Sequence, residues 1–191
     1  MTGLVGGIAV LLWVQLSHTP WRELGFVRPR SWVVTVAAGV TLGVALKFVM
    51  KAIVMPLLGA DPVNHVYHYV AGNPPALAAM ALTVIFGAGF GEETVFRGFL
   101  FERLGKLLGS GPAAKICIVL VTSALFATLH FFDQGRAGVE QAVFTGLVFG
   151  GVFAVTKQIW MPMIAHAAFD LTALAMIYWN VEPNVAHFVF K

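Results

Sequence analysis

Seven stretches of this chain contain no Asp, Glu, Lys or Arg: residues 1–21, 31–46, 62–91, 116–132, 141–156, 158–169 and 171–181. A helix crosses the hydrocarbon of a bilayer with about 20 mostly apolar residues, within a range of about 17–25. The gaps therefore predict helices over 3–17, 32–54, 75–108, 113–132, 139–157 and 160–180, the third of them charged in its second half. The expected fold is all-α, a polytopic transmembrane helix bundle of about six spans. It reads as a single membrane domain with N-terminal helices and loops over 1–74, a core over 75–180 and a tail over 181–191. The first apolar segment lacks the basic flank and small-residue cleavage site of a signal peptide, so it reads as a short span. Segment 55–74 is neither cleanly apolar nor polar and reads as an interfacial loop.

Composition supports the membrane reading. The chain is 59% hydrophobic and 11% charged, where soluble domains average about 45–50% and about 25%. So few charges cannot cover a soluble surface. The apolar mass excludes disorder, and the single Cys117 excludes a disulfide scaffold. The bases are scattered rather than striped, so the net charge of +3 does not imply a nucleic-acid partner.

Proline and glycine punctuate the predicted spans. Pro20 and Pro29 bracket a polar loop, Asn73-Pro74-Pro75 opens the third element, and Gly109-Ser110-Gly111-Pro112 forces a turn. Pro162 falls in the first turn of the last span, where a missing N–H costs little. Arg22, Arg28 and Arg30 share one loop, Arg103, Lys106 and Lys115 surround a second, and Lys157 marks a third. Alternating spans place these loops on one side, which the positive-inside rule makes cytoplasmic, although Lys47, Lys51 and Arg136 fall elsewhere. The Gly3/Gly7, Gly39/Gly43 and Gly146/Gly150 pairs have helix-packing spacing. That pattern is frequent by chance in a chain with 20 Gly and carries little weight.

Ionisable groups inside apolar spans are the informative residues, because each costs at least about 2.5–3.5 kcal/mol at the bilayer centre. They are Glu92, Glu93 and Arg97 in the run from Gly91 to Gly98, His130 after Phe126, and the pair His166 and Asp170. Residues four apart share a helix face, so Glu93 can pair with Arg97, and Asp170 can reach His166. Glu92 and Glu93 point about 100° apart, so one can face a reaction centre while the other makes a structural bond. At about 1.5 Å per residue, Glu93 lies about 15 Å from Arg103, His130 about 22 Å from Lys115, and His166 about 13 Å from Lys157. All three fall mid-membrane once a tilt or a kink, placed at Gly150-Gly151, absorbs the mismatch. Taken singly, each residue reads equally well as a packing or clamp residue. The set on three helices at compatible depth favours a shared site.

Two hydrolytic chemistries suit the set. A Glu–His pair can polarise water while the second His binds an oxyanion. Alternatively Glu93, His130 and His166 are the ligand types of a catalytic zinc site, with Asp170 orienting His166 from behind. Cys117 and Ser123 have no placed base, and His18, His65, His68 and His187 read as solvated or interfacial. Intramembrane Glu and His also serve proton relays, which makes a small proton-coupled carrier a third class of reading.

The ordered triplet Glu92-Glu93-xxx-Arg97, Phe126-xxx-His130 and His166-xxx-Asp170 resembles the three motifs of the CPBP family of membrane proteases. That family includes the type II CAAX prenyl endopeptidases and bacteriocin-processing or immunity proteins. The similarity extends to Phe96-Arg97-Gly98, to the Trp160–Ile164 lead-in, and to the loop from Trp21 to Pro29. The resemblance implies an intramembrane endopeptidase in which the glutamates and histidines activate water, with Zn2+ participation left open. It implies a cavity open to the membrane and the cytoplasm. The short, Ala-, Val- and Gly-rich chain reads as a multi-pass protein of a bacterial plasma membrane. Its partners would be lipids and a peptide or lipidated-protein substrate, prenylated or leader-bearing. Asp170 stands where the family often has Asn, and the chain is short for the family. A non-proteolytic immunity or peptide-binding protein with the same polar cluster is the alternative.

Overall fold

A computed structural model describes residues 2–190. Its helices are α1 (Thr2–Leu16), α2 (Trp32–Leu57) and α3 (Pro74–Leu108), then a long segment Pro112–Thr156, followed by α6 (Trp160–Tyr178) and the short α7 (Glu182–Ala186). No strand occurs among the described residues. The 45-residue segment Pro112–Thr156 is broken at Gly135, whose φ of 61° and ψ of −153° are open essentially to glycine alone. It is therefore two helices, α4 (112–134) and α5 (136–156). The break falls in the gap between the helices expected over 113–132 and 139–157, and the further bend expected at Gly150-Gly151 does not occur. Gly150 stays helical, facing the side chains of Val119 and Phe101.

Start signals act where polar residues meet apolar runs. The Ser31 hydroxyl accepts from the Val34 N–H at 3.3 Å, and the Asn73 side-chain oxygen accepts from the Ala76 N–H at 3.2 Å. Four helical segments are long and apolar enough to cross a membrane: α2, α3, Pro112–Thr156 and α6. Large side chains such as Val33, Leu125, Phe132 and Val155 point outward from them, a surface suited to lipid. The helical membrane bundle is as expected, and α2 continues to Leu57, into the stretch expected to be loop.

Glycine sets how closely the helices approach. Gly43 of α2 meets the backbone of α6 at Ala165 and Phe169, and Gly39 meets Ile164 and Met161. Gly3 and Gly7 of α1 meet Gly87 and Gly91 of α3 in the same manner. Close backbone approach through small residues is a standard membrane packing device, so two of the glycine pairs do more than chance would suggest. Stretches of α3 over Val84–Glu92 and Thr94–Leu100 are wound in wide turns bonded from i to i+5.

The bundle has two unlike ends. At the basic end, Ile159 N–H donates to Gly25 at 3.0 Å, Trp160 Nε1–H donates to Val27 at 3.0 Å, and Lys106 pairs with Glu23 at 3.1 Å. The three basic loops thus sit together. Phe101, Ile118, Phe153, Ile159 and Met163 form a packed plug beneath them. At the far end, Lys51 and Glu182 form a buried pair at 2.7 Å, and Glu182 also accepts from Asn64 N–H at 3.2 Å.

Candidate active site

The wide turns of α3 present the adjacent glutamates to different surroundings. Glu93 is fully buried and its Oε1 accepts from Arg97 Nη1 at 2.7 Å, the pairing that their four-residue spacing predicts. The same oxygen lies 2.7 Å from His166 Nδ1, which donates to it. Arg97 Nη2 also donates to the Gly146 carbonyl at 3.3 Å. Its guanidinium lies 4.8 Å from the Phe126 ring centre and 5.8 Å from that of Phe149. The His166 ring contacts the same two phenylalanines, with centroids 5.8 Å and 5.2 Å away. Arg97, Glu93 and His166 are thereby fixed as one buried network.

Glu92 lies outside that network. It borders a cavity of about 370 Å3 that is also lined by His130, His166 and Asp170. Its Oε2 is buried with no hydrogen-bond partner, as is Oε2 of Glu93. The four cavity residues come from α3, α4 and α6, so the three motifs meet. Glu93 and Arg97 do not line the cavity; they hold His166 from behind.

The two histidines are oriented differently. His130 Nδ1 lies 2.9 Å from the Phe126 carbonyl, and its ring lies tilted by 53° against Phe126 with centroids 4.4 Å apart. A carbonyl only accepts, so Nδ1 carries the proton and Nε2 keeps its lone pair when the ring is neutral. His166 has Glu93 at Nδ1, and its Nε2 faces Asp170 at 3.6 Å, an ion-pair rather than hydrogen-bond separation.

A metal fits this arrangement poorly. No three His, Cys, Asp or Glu side chains among the described residues stand as a group that could hold one. Glu93, the carboxylate of the expected ligand set with His130 and His166, already has Arg97 and His166 on one oxygen.

Lys47, Tyr67 and Gln141 also line the cavity and were not picked out from sequence. Lys47 is buried on α2, donates to Gln141 Oε1 at 2.8 Å and lies 4.7 Å from the Phe169 ring centre. The rule that selects Glu92, a charge inside an apolar helix, applies equally to Lys47. Cys117 is exposed on α4, and Ser123 is buried with its hydroxyl unpartnered. His18, His65, His68 and His187 are exposed.

Comparison with known proteins agrees with the motifs. No curated protein and no solved structure matches this chain. A family model described as type II CAAX prenyl endopeptidase Rce1-like matches residues 74–172, more than half of the 191 residues. That region spans α3 through most of α6 and contains every motif residue around the cavity. The chain therefore belongs to the type II CAAX prenyl endopeptidase Rce1-like family, a family of membrane proteases.

Proposed function

We propose that the chain is an intramembrane endopeptidase that hydrolyses a peptide bond with water activated by Glu92 and His130. The observation that carries this reading is the common cavity: Glu92, His130, His166 and Asp170 line one space from three helices. In the step inferred, water oxygen attacks the scissile carbonyl carbon while Glu92 takes its proton. His130 Nε2 accepts a hydrogen bond from the same water. His166 donates through Nδ1 to Glu93, and a proton carried on its Nε2 stabilises the developing oxyanion. The proton on Glu92 then passes to the departing amine nitrogen as the C–N bond breaks. Glu93 and Arg97 are positioning residues in this scheme, and Asp170 steadies the outer edge of His166. Substrates that reach the cavity are membrane-associated peptides, and both prenylated and leader-bearing sequences belong to that class.

The test is hydrolysis of quenched fluorescent peptides, farnesylated and unmodified, by purified protein in detergent micelles. Glu92→Gln is expected to lower the rate by about 10²–10⁴-fold, the usual contribution of a general base, with folding retained. Unimpaired cleavage by both Glu92→Gln and His130→Ala would sink the proposal. Tight peptide binding without cleavage by the folded wild type would assign the cavity to peptide binding instead.

A further inference from the structure

The cavity reaches only one end of the bundle. Its lining runs from Phe96 and His166 in mid-membrane to Asn64, Tyr67, Gln134 and Ile177 at the far end. No residue of 7–46, 97–125 or 146–165 lines it. The route toward the basic end is filled by the aromatic plug of Phe101, Phe153 and Ile159 with their neighbours. The cavity lining therefore extends toward the end formed by the 58–73 loop, the Gly135 kink and the stretch after Tyr178.

Charge distinguishes the ends independently. The basic end carries Arg22, Arg28, Arg30, Arg103, Lys106, Lys115 and Lys157, and its loops are held together by direct hydrogen bonds. Among the described residues, the far end exposes a single base, Arg136, which pairs with Glu140 at 2.6 Å. Lys51 at that end is buried against Glu182. An excess of Lys and Arg in short loops marks the cytoplasmic side.

From these two observations we propose that the catalytic cavity opens on the non-cytoplasmic face of the membrane. This deepens the hydrolase reading and rests on it for the substrate class: peptide segments presented at the outer surface, such as translocated or secreted membrane-associated peptides. The family resemblance implies an opening toward the cytoplasm. In this chain the positions of the bases argue for the opposite orientation.

The experiment labels single cysteines in the full chain carrying Cys117→Ser, expressed in a bacterial plasma membrane, with a membrane-impermeant maleimide. Asp61→Cys marks the far loop, Gln134→Cys the cavity wall and Ser110→Cys the basic end. Intact cells are expected to label the first two, and Ser110→Cys is expected to react only after permeabilisation. Labelling of Ser110→Cys in intact cells, alone or equally with Asp61→Cys, overturns the proposal. A second arm supplies the fluorescent peptides to sealed vesicles of known orientation. Cleavage confined to right-side-out vesicles supports the proposal, and cleavage confined to inverted vesicles overturns it. If labelling is as expected and neither vesicle cleaves, the orientation stands and the hydrolase reading fails.

Discussion

Glu92 and Glu93 are chemically identical neighbours held in unlike surroundings. Glu93 shares one oxygen between Arg97 and His166, and Arg97 lies against two phenylalanines. Removing one partner of such a buried pair strands the other charge, at a cost of about 3–5 kcal/mol. Arg97→Met is therefore expected to lower the thermal midpoint of the detergent-solubilised protein markedly, whereas Glu92→Gln leaves it nearly unchanged. A similar drop for both would show that Glu92 is a structural group. The donor arrangement also predicts that a strong chelator leaves peptide hydrolysis intact, since no three potential ligands among the described residues form a metal group. Loss of activity on chelation, restored by Zn2+, would refute this. That the two glutamates differ was legible from sequence, because neighbours on a helix diverge by about 100°. Which of them faces the cavity was not, because that depends on how α3 is rotated against α1 and α6.

At the scale of elements, apolar length and punctuation placed the helices closely, since both act locally along the chain. The break at Gly135 falls between the apolar runs 116–132 and 141–156, where sequence already separates two helices, whereas the bend expected at Gly150-Gly151 does not occur, because many glycines can bend a helix and only packing selects one. The wide turns in α3 leave no residue signature, as an i to i+5 register is a property of the backbone. Glycine spacing is legible in sequence, but which pairs pack is decided by the bundle. A Cβ at Gly43 would collide with the α6 backbone, while one at Gly105 has nothing within 4 Å. Gly43→Ala is accordingly expected to destabilise the protein, whereas Gly105→Ala is neutral or stabilising by up to about 1 kcal/mol through helix propensity. Thermal unfolding of the two variants side by side checks this. Equal behaviour would mean that α2 and α6 separate at little cost.

At the scale of the whole molecule, the bundle is sealed at one end and hollow toward the other. Sequence revealed the basic loops and their common side, because charges mark the water boundary. It could not reveal the hollow, which is a gap left between helices distant in the chain. Lys47 illustrates the limit: in sequence it is one more base away from the basic loops, yet it is buried in the cavity wall and bonded to Gln141. It therefore carries no weight in the tally of loop charges.

The lining of the hollow by Thr2, Gly3 and Gly6 has a practical consequence. On the proposed hydrolase reading, a polypeptide fused to this end of α1 is expected to compete with substrate for the cavity. An affinity tag placed there is expected to raise the apparent KM until it is cut off, as steady-state kinetics before and after removal would show. The same tag inserted between Gly109 and Gly111, beyond the aromatic plug, should leave KM unchanged.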